Sequence, residues 1–308
     1  MTVNKSNIAI IFFIIPITWA GSFIAAKYVV AEISPIESVF WRFLLSAVVM
    51  FPFLIVGYRK AHPDLLNVNF IQHMTIVVLT SGVIYHVFFF LALQHTSPTN
   101  AALIIALNPF FTAFGEILAF KRLRNIRFYI GFGIAFSGAL WVIISRGDGI
   151  SAPGIGELYC LIASLSWSIY TIAAKKTKDV AWNALWIGAY NYLLTAILVL
   201  PFIFNSLNLV GLKEIPFVAW TGLWYMAIFP TAIGYTLYYV GVQKKGPTWA
   251  ATYIYLVPSF TANLDYIFFN ARFTLPMVIG TTMVVAGLIT GNLSQNQINN
   301  WLNKKIKV

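Results

Sequence analysis

Residues 94–113 read QHTSPTNAALIIALNPFFTA, and residues 243–262 read QKKGPTWAATYIYLVPSFTA. Aligned without a gap at an offset of 149, the two stretches agree at 11 of 20 positions. The agreements include Gln94/Gln243, Pro98/Pro247, Thr99/Thr248, Pro109/Pro258 and Thr112/Thr261. Leu and Ala matches carry little weight in so apolar a chain. Proline, glutamine and threonine pairs at fixed spacing carry a great deal, and they mark an internal duplication.

Both copies share one physical design. A Pro-Thr pair sits where the first turn of a helix tolerates proline. A second proline, Pro109 or Pro258, follows eleven residues later. That is about 16 Å along a helix axis, near the middle of a membrane span. This proline donates no hydrogen bond and displaces the carbonyl four residues back, that of Ile105 or Ile254. Backbone groups freed at bilayer depth persist only where other protein or a wet cavity satisfies them. Broken spans at matching places in two halves point to a transporter's binding site; bending for packing alone is the other reading.

The rest of the chain supports a membrane setting. Its 308 residues are 59% hydrophobic and 9% charged, with a mean hydropathy of +0.79, whereas soluble domains run near about 25% charged. The net charge of +11 lies in short segments between apolar runs, a pattern of membrane surfaces rather than nucleic-acid binding. The single cysteine, Cys160, falls inside an apolar run, so neither a disulfide nor a cysteine metal cluster is available. Ten apolar runs are long enough to span: roughly 8–28, 35–57, 71–93, 99–120, 127–145, 154–174, 183–204, 216–240, 248–269 and 274–292.

The duplication extends through all ten. Trp19–Lys27 reads WAGSFIAAK and Trp167–Lys175 reads WSIYTIAAK, five identities in nine. That partnership argues against treating the first run as a cleaved signal peptide, despite Ala25-Ala26. Leu44-Leu45 and Pro52-Phe53 echo Leu193-Leu194 and Pro201-Phe202; Glu116 echoes Asp265; Gly131 and Gly138 echo Gly280 and Gly287. The expected fold is an all-α integral membrane protein of ten transmembrane helices in two five-helix repeats, residues 1–150 and 151–293, with a tail at 294–308. Five is odd, so the second repeat is inverted about an axis in the membrane plane. With the N-terminus inside, fifteen Lys and Arg face the cytoplasm and four the opposite side, which predicts both termini cytoplasmic. The expected location is the plasma (inner) membrane of a prokaryote.

Trp19 with Ser22-Phe23 and Lys27, Arg42-Phe43-Leu44-Leu45, and the Asn108-Pro109 and Val257-Pro258 segments resemble the drug/metabolite transporter superfamily in its EamA-like branch. The resemblance covers essentially the whole chain. It implies a ten-helix secondary transporter whose pocket is lined mainly by helices one, three, four, six, eight and nine, with alternating access by rocking of the halves. Relatives carry amino acids, drugs, sugar phosphates or nucleotide sugars. They often hold a Gly-Glu pair where helices four and nine end; this chain has Lys121-Arg122 and Asn270-Ala271 there.

Several side chains invite a functional reading, each beside a plainer one. Charges inside a span cost about 2.5 to 3.5 kcal/mol on insertion scales. Arg42 therefore needs a partner, and Glu37 or a helix dipole would supply a structural one; its repeat counterpart is Asn191. Glu116 and Asp265 are symmetric acids near helix ends, suited to proton coupling or to helix-end hydrogen bonds. Lys27 and Lys175 lie near opposite mouths, as gating residues or as snorkelling lysines. His86, beside Tyr85, is a proton carrier or a neutral packing residue. Trp19, Tyr85, Asn108, Trp167, Tyr170, Tyr235, Tyr239 and Tyr255 suggest aromatic walls with a few amide and hydroxyl groups.

The expected function is carriage of a small organic metabolite, amino-acid-like or amphipathic, around a midplane pocket, and export is the expected direction. A proton or counter-substrate is the further partner. A phosphorylated or nucleotide-type cargo is the alternative, weakened because convergent Lys or Arg are needed for it. No His-Glu-x-x-His, Gly-x-Ser-x-Gly or Gly-x-x-x-x-Gly-Lys-Ser/Thr pattern is present, which argues against an intramembrane enzyme or an ATP-driven pump. No metal or cofactor is expected. A passive pore would show a continuous polar stripe, and the polar residues are scattered.

Overall fold

The computed structural model describes residues 5–57, 65–121, 125–144, 154–176, 184–204, 214–270 and 275–292. They form ten helices: α1 Lys5–Glu32, α2 Pro35–Gly57, α3 Val68–His95, α4 Pro98–Phe120 and α5 Ile126–Ile144 in the first half. The second half supplies α6 Ile155–Lys176, α7 Ala184–Ile203, α8 Phe217–Lys245, α9 at residues 247–269 and α10 Leu275–Asn292. Seven of them, α1–α4 and α6–α8, contain stretches long and apolar enough to cross a membrane. Phe51, Phe53, Leu118, Ile130, Phe202, Phe217 and Leu275 face outward, as side chains bathed in hydrocarbon do. The chain is an all-helical membrane protein.

Much of the charge that predicts sidedness lies outside the described residues. This applies to Arg59, Lys60, Arg122, Arg124, Lys178, Lys304, Lys305 and Lys307, to Arg146, Lys213 and Arg272 on the other side, and to the tail at 294–308.

The helices pair by repeat position. α2 packs on α7 and α5 on α10, while α1 lies against α8 and α9 and α6 against α3 and α4. Each half thus lends its first helix to the other. Thr99, at the start of α4, bonds to Asp265 near the end of α9; Thr248, at the start of α9, bonds to Glu116 near the end of α4. Counterpart helices therefore run antiparallel, which an axis in the membrane plane requires. The α5–α10 contact repeats the geometry: a Cβ on Gly131 would collide with the Gly287 carbonyl, and one on Gly138 with the Gly280 carbonyl. Backbone meets backbone there, and only hydrogen fits.

Both proline breaks form. α4 is helical through Ile105, turns at residues 106–107, and resumes at Asn108. α9 is helical through Thr252, tightens into a 3-10 segment over Tyr253–Leu256, and resumes at Val257. The Ile105 carbonyl accepts from Ser164 Oγ of α6 at 3.2 Å, so protein satisfies the freed group. A second pair of irregularities lacks a shared proline. Val78–Ile84 of α3 and Ala227–Tyr235 of α8 are π-helical at equivalent positions. Pro230 lies in the α8 segment, but its counterpart is Ser81.

The ends of α4 and α9 also correspond. Lys121 and Asn270 are both left-handed, with φ of 51° and 53°. Glycine would adopt that conformation without a Cβ penalty.

Candidate transport site

The site grows from two counterpart indoles. Trp19 of α1 and Trp167 of α6 meet edge to face across the pseudo-two-fold axis, with ring centroids 5.3 Å apart and planes at 87°. Ser22, Phe23, Arg42, Tyr85, Phe89 and Tyr235 complete the walls of a central cavity. Ala102, Ile105, Ile254 and Val257 of the broken helices close it. The free space is about 20 Å³, room for one water. As it stands, the space is too small for a metabolite.

Arg42 brings the charge. It reaches the cavity from α2 and is 1% exposed. Its Nε donates to Thr231 Oγ1 at 3.0 Å, Nη1 to Ser22 Oγ at 3.3 Å and Met226 Sδ at 3.6 Å, and Nη2 to Tyr235 OH at 3.3 Å. The sequence offers Glu37 as a partner, yet Glu37 accepts instead from Trp41 Nε1 at 3.1 Å.

Behind Tyr235 stands His86, its counterpart in the other repeat. His86 Nδ1 lies 2.8 Å from the Ser81 carbonyl and 3.0 Å from that of Gly82. Carbonyls only accept, so Nδ1 carries a proton, and in the neutral ring Nε2 accepts from Tyr235 OH at 2.8 Å. Tyr235 therefore donates to His86 and accepts from Arg42. The chain from guanidinium to phenol to imidazole is directed, and it ends on carbonyls of a π segment.

The other π carbonyls are also met. Ser166 Oγ donates to Thr80 O at 2.7 Å, Trp19 Nε1 to Pro230 O at 3.2 Å, Tyr192 OH to Thr231 O at 2.8 Å, and Ser46 Oγ to Ala227 O at 3.2 Å. Irregular backbone at this depth survives because side chains of neighbouring helices satisfy it.

The structure brings five of the sequence-derived candidates to the cavity: Trp19, Arg42, Tyr85, Trp167 and Tyr235. His86 sits one layer behind. Asn108 is a clasp at the α4 break, its Nδ2 donating to Ser164 O at 2.9 Å and Ser168 Oγ at 2.7 Å. Tyr170 and Tyr239 line a separate void of about 10 Å³ beside Tyr192. Tyr255 and Pro109 face another of that size, against Gly131 and Gly287; Pro258 is buried at its own break.

The lysines and acids hold helix ends. Lys27 Nζ donates to Leu93 O at 2.6 Å and Thr96 O at 3.1 Å, and Lys175 Nζ to Gln243 O at 3.1 Å. A cation at a helix C-terminus is stabilised by the unpaired carbonyls and the helix dipole. Glu116 also accepts the Thr248 N–H at 3.4 Å, and Asp265 the Thr99 N–H at 3.2 Å. Each acid thus caps the first turn of the opposite broken helix.

Sequence reasoning did not single out Phe89 or Thr231. Phe89 is one of many aromatic residues in α3. For Thr231 the available signal was Pro230, a proline inside an apolar run.

Comparison with known proteins shows the family. The EamA-like transporter family matches twice, over residues 7–144 and 154–292. The chain belongs to the EamA-like transporter family and is a multi-pass membrane transporter. It is similar to the uncharacterized transporter YyaM of Bacillus subtilis, 29% identical over 295 residues and 93% of each chain. An uncharacterized transporter of Archaeoglobus fulgidus is 28% identical over 284 residues, covering 91% of this chain and 95% of that one. A solved crystal structure superposes with a TM-score of 0.69 at 19% identity, over 94% of this chain and 97% of the other. That likeness concerns the fold.

Proposed function

We propose that the protein is a secondary carrier of a small organic metabolite, amino-acid-like or amphipathic, working by alternating access about the central cavity. The observation that carries this reading is the meeting of counterparts. Trp19 with Trp167 and His86 with Tyr235 join opposite repeats around one small cavity, between two helices broken at the same place. Rocking of residues 1–150 against 151–293 would open that cavity to either side in turn. The Glu116–Thr248 and Asp265–Thr99 contacts act as opposed latches, and a proton on either acid would loosen its latch. The charge bias of the sequence supports a prokaryotic inner-membrane location with both termini in the cytoplasm, and export is the direction proposed.

Counterflow in proteoliposomes is the test. Uptake of labelled solute that saturates and is driven by unlabelled solute inside supports a carrier; linear flux without exchange contradicts it. Within the carrier, Trp167→Ala is expected to lower counterflow at least tenfold, and Tyr239→Ala less, because only Trp167 faces the central cavity. Equal losses would misplace the site.

A further inference from the structure

The Arg42 guanidinium has a partner at each nitrogen but its charge unmet. Thr231, Ser22, Met226 and Tyr235 supply neutral acceptors to Nε, Nη1 and Nη2. Neutral hydroxyls satisfy direction and leave the positive charge standing. No carboxylate touches Arg42 among the described residues, although buried charges are ordinarily paired. The membrane-buried acids are engaged elsewhere, Glu116 with Thr248 and Asp265 with Thr99. The repeat counterpart, Asn191, is neutral and donates to Ser81 Oγ at 3.1 Å.

The cation also lies in the cavity wall rather than in packing. The same cavity is walled by Trp19, Tyr85, Phe89 and Trp167. Those rings offer flat apolar surface and no second cation. Lys27 and Lys175 lie at helix ends, on the carbonyls of α3 and α8. One guanidinium neutralises one charge, and its planar fork matches a carboxylate.

We infer that Arg42 is the cargo's counter-ion, so that the transported molecule is a singly charged organic carboxylate with a flat apolar body. This rests on the carrier reading and narrows it: a carboxylate is required, whereas an ammonium group has no acid to meet in the cavity. A doubly charged phosphate ester would leave one charge unmatched. Bound, the carboxylate takes over from Ser22 and Tyr235 as acceptor for the Nη groups, and the body lies between the indoles.

Thermal stabilisation of the purified full chain in detergent reads this directly, since a ligand of the folded state raises the melting temperature. The probes are 3-phenylpropanoate, its amide, 3-phenylpropylamine, phenylalanine and phenyl phosphate. The acid is expected to bind at least tenfold more tightly than its amide or the amine, with phenyl phosphate weaker than the acid. Arg42→Gln should erase the gap between acid and amide, and Arg42→Lys should keep part of it. The wild-type series alone decides the matter should Arg42→Gln fail to fold. Equal binding of amide and acid, a preference that survives in Arg42→Gln, or binding by no carboxylate overturns the inference. Counterflow of the same probes separates the two readings. Exchange of the amide but not the acid sinks the anion assignment and spares the carrier; binding of the acid with no exchange of any probe does the reverse.

Discussion

At the α5–α10 contact the two repeats offer each other the same residues; at the breaks in α4 and α9 they do not. Gly131 and Gly138 face Gly287 and Gly280, and Gly131, Gly138 and Gly287 demand hydrogen because a carbonyl lies where a Cβ would be. At the breaks, proline gives both helices the same fault, but different groups hold it. Asn108, Ser164 and Ser168 tie the α4 break to α6. The corresponding residues are Val257 on α9 and Pro16 and Ala20 on α1, which have no side-chain donor to offer. Symmetry persists where backbone touches backbone and lapses in the side chains that hold the two breaks. The α4 break is pinned by side chains, and the expectation is that the α9 break is the looser joint.

The largest effect should come from the symmetric region. Gly131→Val and Gly287→Val each force the α5–α10 backbones apart, at about 3 kcal/mol, the upper range for overpacking. Near-equal drops in melting temperature would uphold the symmetry, and a strong inequality would break it. Next comes the pinned break. Asn108→Leu strips partners from Ser168 and the Ser164 carbonyl and should cost about 2 kcal/mol. Val257→Ala loses only apolar contact, at about 1 kcal/mol. Chemical denaturation of both variants compares them, and equal losses would erase the distinction between pinned and loose.

Pro109→Ala restores a donor that competes with Ser164 for the Ile105 carbonyl, so turnover in counterflow should fall several-fold while binding holds. Pro258→Ala should act less, because the α9 break has no such clasp; an equal or larger effect would reverse the assignment of the looser joint. The smallest effects belong to the helix ends. Lys121→Gly should stabilise by about 1 kcal/mol, by removing left-handed strain. Asn270→Gly should gain less, since asparagine tolerates that conformation. Melting temperatures that fail to rise for Lys121→Gly would mean that its side chain has a stabilising contact.

The helical architecture was legible because proline and apolar run length obey local rules. Pro109 and Pro258 marked both breaks and the 149-residue offset related them, whereas Gly131 and Gly287 were visible only as repeat matches and their backbone contact came from the structure. The cavity was half legible. Aromatic residues at helical spacing look alike whether they wall a cavity or fill a core, so Tyr239 and Tyr255 read like Tyr235. Which face of α8 meets α1 depends on the π segment at Ala227–Tyr235, which resets the angle of every later residue. Nothing in the sequence of α3 announces its own π segment. Arg42 was visible as an anomaly, but only the packed neighbours show that its acceptors are neutral.

The pseudo-two-fold axis has one more consequence, and it concerns what covalent fusion allows. An isologous dimer of a single repeat would have to place every residue at the centre twice. A guanidinium in its second helix would then face the centre beside its own twin, two like charges in a space of about 20 Å³. Joining the copies into one polypeptide lifts that demand. One arm keeps arginine at position 42, the other carries asparagine at 191, and the shared chamber acquires a polarity that no self-matching pair of identical subunits could possess.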